Sequence, residues 1–391
     1  MDNINKQNKR LLIVGFILTI LYSLHYAIPI YLNSTLLSNY FSATGVNLIY
    51  MASGVCALIF ANRIGKYLNR YHNYKTSLVI ILLDFIATIV LGFSQNLFLV
   101  AASFIITMAC IASLSITLNL FIEEFTKQNE EGVVRGIFLT LLNTGILISP
   151  VIASSALSSF GYQGVYTLSA LMLIPIAIAI KHYYKNIHEP MYKNVSLKIG
   201  LAETLRSKNI FGVMSAFMAL ECFYISMAIY IPMLLSQNTD ISIATYLGVI
   251  MPFVLIPFVI LPYQMGLLAD KKTGEKEFLL LGLAILSISA MSIAFINTNS
   301  ILIWGGILFF SRVGAAILET MIFIYFFKKT KKSDAGLVAL FGNVRTIATI
   351  VVPIFGTLVV LITSNISYIF IVLSIYIALT IIPANKIIDT R

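Results

Sequence analysis

The stretch ILIWGGILFFSRVGAAILETMIFIYFFKKTKK runs from Ile301 to Lys332. From Ile301 to Phe327 it is almost wholly apolar, interrupted by Arg312 and Glu319, and four lysines close it: Lys328, Lys329, Lys331 and Lys332. As a helix, these roughly 27 residues measure about 40 Å, enough to cross a hydrocarbon core about 30 Å thick. A porin-type strand would cross in about ten residues, so the run reads as a helix. The lysine strip marks the end that stays in the cytoplasm.

Eleven further runs follow the same pattern, giving spans at roughly 11–36, 46–67, 76–93, 97–122, 136–160, 162–180, 210–235, 243–265, 278–296, 301–327, 336–362 and 366–383. The chain has 391 residues, 59% hydrophobic and 11% charged, with a mean hydropathy of +0.93. Soluble domains carry about 25% charged residues, so a soluble fold is excluded. Twelve crossings leave about 150 residues for connections and helix ends, too few for a large extramembrane domain. The net charge of +10 would suit nucleic acid only as a basic face, whereas the basic residues form short strips between apolar runs.

With twelve spans, 24 of the 26 Lys and Arg fall on one side, Arg63 and Lys66 at the inner end of span 2 among them, and the remaining two, Arg312 and Arg345, lie deeper within spans. The alternate connections SNYFSATG, SQN, GYQG and INTNS hold no Lys or Arg, so both termini are expected in the cytoplasm. The first run is too long for a signal-peptide core and reads as an uncleaved span. Cys56, Cys110 and Cys222 lie in apolar runs without metal-ligand spacing and read as packing residues. The longest connection divides the chain into a six-helix bundle (residues 1–181), a cytoplasmic linker (182–208) and a second six-helix bundle (209–391). Within the linker, Leu197, Leu201 and Leu205 recur every four residues, the spacing of a short amphipathic helix on the inner membrane surface; an unstructured linker is the alternative.

Two connections six spans apart resemble each other. After span 2 the chain reads Gly65-Lys-Tyr-Leu-Asn69-Arg70, and after span 8 Gly266-Leu-Leu-Ala-Asp270-Lys271. Each has a glycine ending a helix, a carboxylate or its amide four residues on, and a cation next. A short carboxylate or amide there can receive hydrogen bonds at a neighbouring helix N-terminus. These strips resemble the G-x-L-A-D-R-x-G-R-K signature of the major facilitator superfamily. The resemblance implies two six-helix bundles that rock about a central site and a cytoplasmic latch, with Glu123 and Glu124 as candidate partners of Arg70. Asn69 replaces the usual Asp. In span 5, Gly145-Ile-Leu-Ile-Ser149-Pro150-Val-Ile-Ala153-Ser154 resembles, in degenerate form, the G-x-x-x-G-P-x-x-G-G motif of the family's 12-helix drug/proton antiporter branch; plain packing of small residues is the alternative.

Ionisable groups in hydrocarbon are expensive, so those retained are candidates for function. In the resembled fold, spans 1, 4, 7 and 10 line the cavity. Glu221, mid-span 7 beside Tyr224 and without a cation within a turn, is the expected proton carrier, a protonated structural donor being the alternative, and both residues are candidate substrate contacts. Arg312 and Glu319 share a face of span 10 and are candidates for a neutralised pair, a gate or a substrate clamp, with Glu319 also a candidate proton carrier. Tyr22, His25 and Tyr26 form a stripe on span 1 that suits a cavity wall, with His25 a further proton carrier or, as the alternative, a satisfied packing histidine. Arg345 in span 11 suits neutralising a carboxylate or binding an anion. Asp84, in a span expected to face lipid, reads as buried structure with proton carriage as the alternative.

The expected function is secondary transport by alternating access, as proton-coupled efflux of an amphipathic or drug-like compound across a bacterial cytoplasmic membrane. Proton-coupled uptake or facilitated movement of a metabolite, anionic in view of Arg312 and Arg345, is the alternative. The expected partners are a small molecule, protons and lipid, with no nucleic acid and a monomeric state. No G-x-x-x-x-G-K-[ST] motif is present, and no cofactor, metal site or catalytic residue is expected. A non-transporting membrane sensor or scaffold remains as a reading of another class.

Overall fold

The computed structural model describes residues 2–126, 131–185, 187, 197–269, 274–330 and 334–389. Long helices dominate: α1 (Asp2–Ala27), α2 (Ala43–Tyr71), α3 (Asn73–Phe93), α4 (Leu97–Glu124), then α5 and α6 within Glu131–Leu171 and Leu173–Tyr183. The second half holds α7 (Lys208–Asn238), α8 (Ile243–Leu268), α9 (Glu275–Ala294), α10 (Ile301–Lys329), α11 (Ala335–Thr363) and α12 (Tyr368–Ala384). Among the described residues no strand occurs.

Among the described residues, ten helices are separately long and apolar enough to cross a membrane. The difference from twelve has two sources. The run Val134–Tyr183 counts once although it holds 50 residues, and Tyr368–Ala384 has only 17. A straight 50-residue helix would measure about 75 Å, more than twice the hydrocarbon core. Gly161, at φ 63° and ψ −161°, breaks it in a conformation that favours glycine, separating α5 (131–160) from α6 (162–183).

Span 1 is shorter than its apolar run. The helix stops at Ala27, the chain turns through Pro29, and a short helix follows at Asn33–Ser38. Proline has no N–H and disfavours helical backbone in the residue before it, which ends α1 where the hydropathy continues. Prolines also divide α8, whose π turn at Tyr246–Ile250 and break before Pro257 lie among Pro252, Pro257 and Pro262.

The chain forms two compact units: Met1–Tyr40 with Ala52–Asn194, and Phe41–Met51 with Val195–Arg391. Within the first unit, α3 shows how the sequence suits lipid. It buries Ser77, Asp84 and Thr88 and exposes Val79, Leu82 and Ile86, the reverse of a soluble amphipathic helix. Buried hydroxyls tie its helices to one another. Tyr22 donates to the carbonyl of Ile111 at 3.0 Å, Tyr184 to that of Leu11 at 2.6 Å, and Tyr166 to Asn33 Oδ1 at 2.7 Å.

In the second unit, α9 and α10 meet through glycines. A β-carbon on Gly314 would stand 2.7 Å from Ile285 Cγ2 and 3.1 Å from the carbonyl oxygen of Gly282, and one on Gly282 would stand 3.0 Å from that of Gly314. The C-terminal tail caps α9: Asp389 Oδ1 accepts the N–H of Glu275 and of Lys276, both at 2.9 Å, while Tyr325 donates to the Ile388 carbonyl at 2.7 Å. The linker helix Leu197–Arg206 packs through Gly200 on the backbone of Gly336 and turns Leu201 and Leu205 outward. Cys110 and Cys222 are buried and Cys56 half-buried, and all three are free thiols.

Gly314→Leu is expected to lower stability by about 1–3 kcal/mol through overpacking against α9, read as a reduced thermal midpoint in detergent. Asp389→Ala is expected to cost about 1 kcal/mol by uncapping α9. The same melt measures it.

Candidate functional site

The ionisable side chains inside the spans gather in two clusters, one in each unit. In the first, His25 of α1 meets Asp84 of α3 at 3.1 Å through Nε2, while Nδ1 faces the carbonyl oxygen and hydroxyl of Ser169 on α6, each at 3.0 Å. Thr88 donates to the other oxygen of Asp84 at 3.2 Å. Carbonyl oxygens only accept, so Nδ1 carries a hydrogen, and one further proton is shared between Nε2 and the carboxyl. Whichever atom holds that proton, the pair is neutral as a whole. His25 and Asp84 are both 0% exposed, so this is a closed polar core joining α1, α3 and α6. His25 therefore does not stand in a cavity wall as its stripe with Tyr22 and Tyr26 suggested. Tyr22 is buried with its hydroxyl engaged on α4, and Tyr26 is half-buried.

The second cluster lies on α7, α10 and α11. Arg345 donates from Nε to Glu221 Oε2 at 2.8 Å, correcting the expectation that Glu221 lacks a cation: none is near in sequence, but α11 supplies one. Tyr224, one turn along α7, donates to Glu319 Oε2 at 2.7 Å. Arg312 and Glu319 therefore do not form the neutralised pair that their shared face suggested, because seven residues separate them by about 10 Å along the helix. The guanidinium carbon of Arg312 lies 5.4 Å from the ring centre of Phe223, and among the described residues its Nη1 has no hydrogen-bond partner. Arg345, Tyr224 and Glu319 are partly accessible; Glu221 and Arg312 are buried.

Magnitudes separate these contacts. A desolvated cation–π contact contributes about 2 kcal/mol, whereas withdrawing an ion from water costs several kcal/mol. Phe223 alone does not offset the burial of Arg312.

A further feature escaped the sequence reading. On each of the three helices a phenylalanine stands four residues from the charge toward the basic end: Phe217 from Glu221, Phe323 from Glu319, and Phe341 from Arg345. Their rings meet, with centroids 4.2 Å apart for Phe217 and Phe341, 5.2 Å for Phe323 and Phe341, and 6.0 Å for Phe217 and Phe323. They form an aromatic floor beneath the charges. The repeated four-residue offset was its signal in the sequence, diluted among the chain's 26 phenylalanines.

Residues 11–353 match the sequence profile of the Major Facilitator Superfamily. The chain belongs to this superfamily. It is thus a multi-pass membrane protein and a secondary transporter of small molecules, not an enzyme. Among solved structures, the POT family transporter PepTSo, crystallised in meso, aligns with a TM-score of 0.72 at 11% identity over 96% of each chain, a likeness of fold. No match was found among curated proteins. Neither the profile nor this neighbour singles out the drug/proton antiporter branch.

The superfamily signature residues behave unevenly. Gly65 does not end a helix, since α2 runs on to Tyr71; its buried position makes it a packing residue. Gly266 lies two residues before the end of α8, while Asp270 and Lys271 fall outside the described residues. Asn69 and Arg70 occupy the exposed last turn of α2. Arg70 lies 5.2 Å from the ring centre of Tyr71 and makes no ion pair among the described residues; Arg135, at the start of α5, takes Glu123 at 3.9 Å. In the antiporter-like stretch, Gly145 packs against Ser23 of α1, where a β-carbon would collide with the serine side chain, and Ser149 back-bonds to Gly145 at 2.6 Å. Pro150 stays within the helix.

Asp84→Ala is expected to cost about 3 kcal/mol, because it strands His25 without its partner. His25→Ala added to Asp84→Ala should then cost little more. A double-mutant cycle of thermal midpoints checks the coupling.

Proposed function

We propose that the chain is a proton-coupled transporter of a small amphipathic compound in the bacterial cytoplasmic membrane, working by alternating access as a monomer. One observation carries this reading: Glu319 accepts a hydrogen bond from the neutral hydroxyl of Tyr224, makes no ion pair among the described residues, and is partly accessible. It is placed to take up and release a proton without breaking an ion pair. Glu221 is a second proton site of another kind, since protonating it releases Arg345. The proton carriers are therefore Glu319 and Glu221, with Tyr224 and Arg345 as their partners, and His25 and Asp84 belong to structure.

Two directions of transport follow from different observations. Efflux is favoured by the likeness of residues 145–154 to the antiporter motif, in which Gly145 packs closely on Ser23. Uptake of an anionic metabolite is favoured by Arg312, which has no acidic partner among the described residues.

The test uses full-length protein in pyranine-loaded proteoliposomes, challenged with amphipathic acids, amides and amines under an imposed pH gradient. At least one compound is expected to drive proton movement in the parent. Glu319→Gln should reduce that movement by at least tenfold while exchange of the labelled compound across the membrane continues. Unchanged proton movement in Glu319→Gln removes the proposed carrier, and no movement with any compound favours a sensor or scaffold. The side from which the compound acts gives the direction.

A further inference from the structure

We infer that Arg312 binds a carboxylate on the transported compound, making the substrate class an amphipathic monocarboxylate; this rests on the transport reading above. Glu221 and Arg345 hold each other at 2.8 Å, and the hydroxyl of Tyr224 takes Glu319 at 2.7 Å. Arg312 is left over. It is only 2% exposed, and its enclosed Nη1 bonds to nothing among the described residues.

The guanidinium carbon of Arg312 lies over the ring of Phe223, 5.4 Å from its centre. A guanidinium, however, carries five N–H donors, and an aromatic ring has no lone pair to accept a conventional hydrogen bond from them. Those donors form a rigid fork that matches two carboxylate oxygens at once. An intramembrane cation is costly, and a cost that no protein group offsets is expected of a binding residue whose ligand supplies the missing contacts. In the bound state the carboxylate makes the bonds that no described residue makes to Nη1.

Charge selects a monoanion. Glu221, Glu319, Arg312 and Arg345 cancel when all are ionised, and Arg345 is committed to Glu221. A phosphate monoester would bring nearly two negative charges against the single uncommitted cation. A monocarboxylate brings one, which a proton on Glu319 offsets, so acid and proton reinforce each other's binding in the manner that uptake requires. The groups facing Glu319 in this linkage are Tyr224 and Glu221 of α7 and Arg345 of α11, and α8 presents Phe258 to Tyr224. Apolar substance is favoured by the aromatic rings, Phe223 beside the cation and Phe217, Phe323 and Phe341 in the floor.

The test is thermal unfolding of the full-length protein in nanodiscs at fixed pH, with octanoate and 4-phenylbutyrate against the matched amides and amines. The acids are expected to raise the unfolding midpoint of the parent and the amides and amines to leave it unchanged. Arg312→Met should abolish the acid-induced shift and raise the ligand-free midpoint, because it removes a buried charge that lacks partners. Arg312→Lys keeps the charge without the fork and should weaken the acids by about tenfold, the loss of one of two charge-assisted bonds. A lower ligand-free midpoint in Arg312→Met would show a structural role and overturn the inference. So would an acid shift that survives in that variant, an equal shift from the amides or amines, or no shift from either acid in the parent. Proton movement lost in Glu319→Gln without any acid shift leaves the transport reading standing and this one fallen; an acid shift without proton movement does the reverse.

Discussion

A polar group inside a bilayer must find its partner within the protein, because lipid tails offer none. The architecture follows from that constraint. It keeps the backbone helical through most of each crossing and turns Ser77, Asp84 and Thr88 of α3 inward while Val79, Leu82, Leu83 and Ile86 face out. It also makes the tyrosine hydroxyls of the first unit into cross-links, since each buried hydroxyl must reach a carbonyl or amide on another helix. Glycines at Gly145, Gly282 and Gly314 bring backbones close enough for packing to hold helices together where no hydrophobic effect drives them.

Under the same constraint the two charged clusters reach different solutions. His25, Asp84, Ser169 and Thr88 form a closed set in which the carboxylate oxygens and ring nitrogens are all engaged and nothing is accessible. Such a set stiffens a bundle. The cluster on α7, α10 and α11 is incomplete by comparison: one ion pair, one carboxylate held by a neutral hydroxyl, and one buried guanidinium with an unmade bond. Incompleteness is costly for stability and useful for a transporter, whose work is to bind a solute and let it go.

Much of this was legible in the sequence. The spans, their number and the strips of lysine and arginine between them follow from hydropathy and charge along the chain, which need no knowledge of neighbours. The Gly161 break was visible as GYQG between two apolar runs, even though the helix is nearly continuous across it. Hydropathy misjudged the end of α1, because it cannot see the backbone consequence of Pro29. The intramembrane charges were found one by one because each is rare in an apolar run. Their pairing was not, because Glu221 meets a residue 124 positions away and Asp84 one 59 positions away.

The sequence by itself therefore determined that this chain crosses a membrane many times, where its crossings lie, and which few charges it keeps inside them. These are properties of composition in one dimension. Only the tertiary structure decided which of those charges cancel, which are sealed away and which are left wanting a partner. That depends on which helix faces of α1, α3, α6, α7, α10 and α11 meet, and a side chain's electrostatic role inside lipid is set by its nearest opposite charge in space, not by its neighbours along the chain.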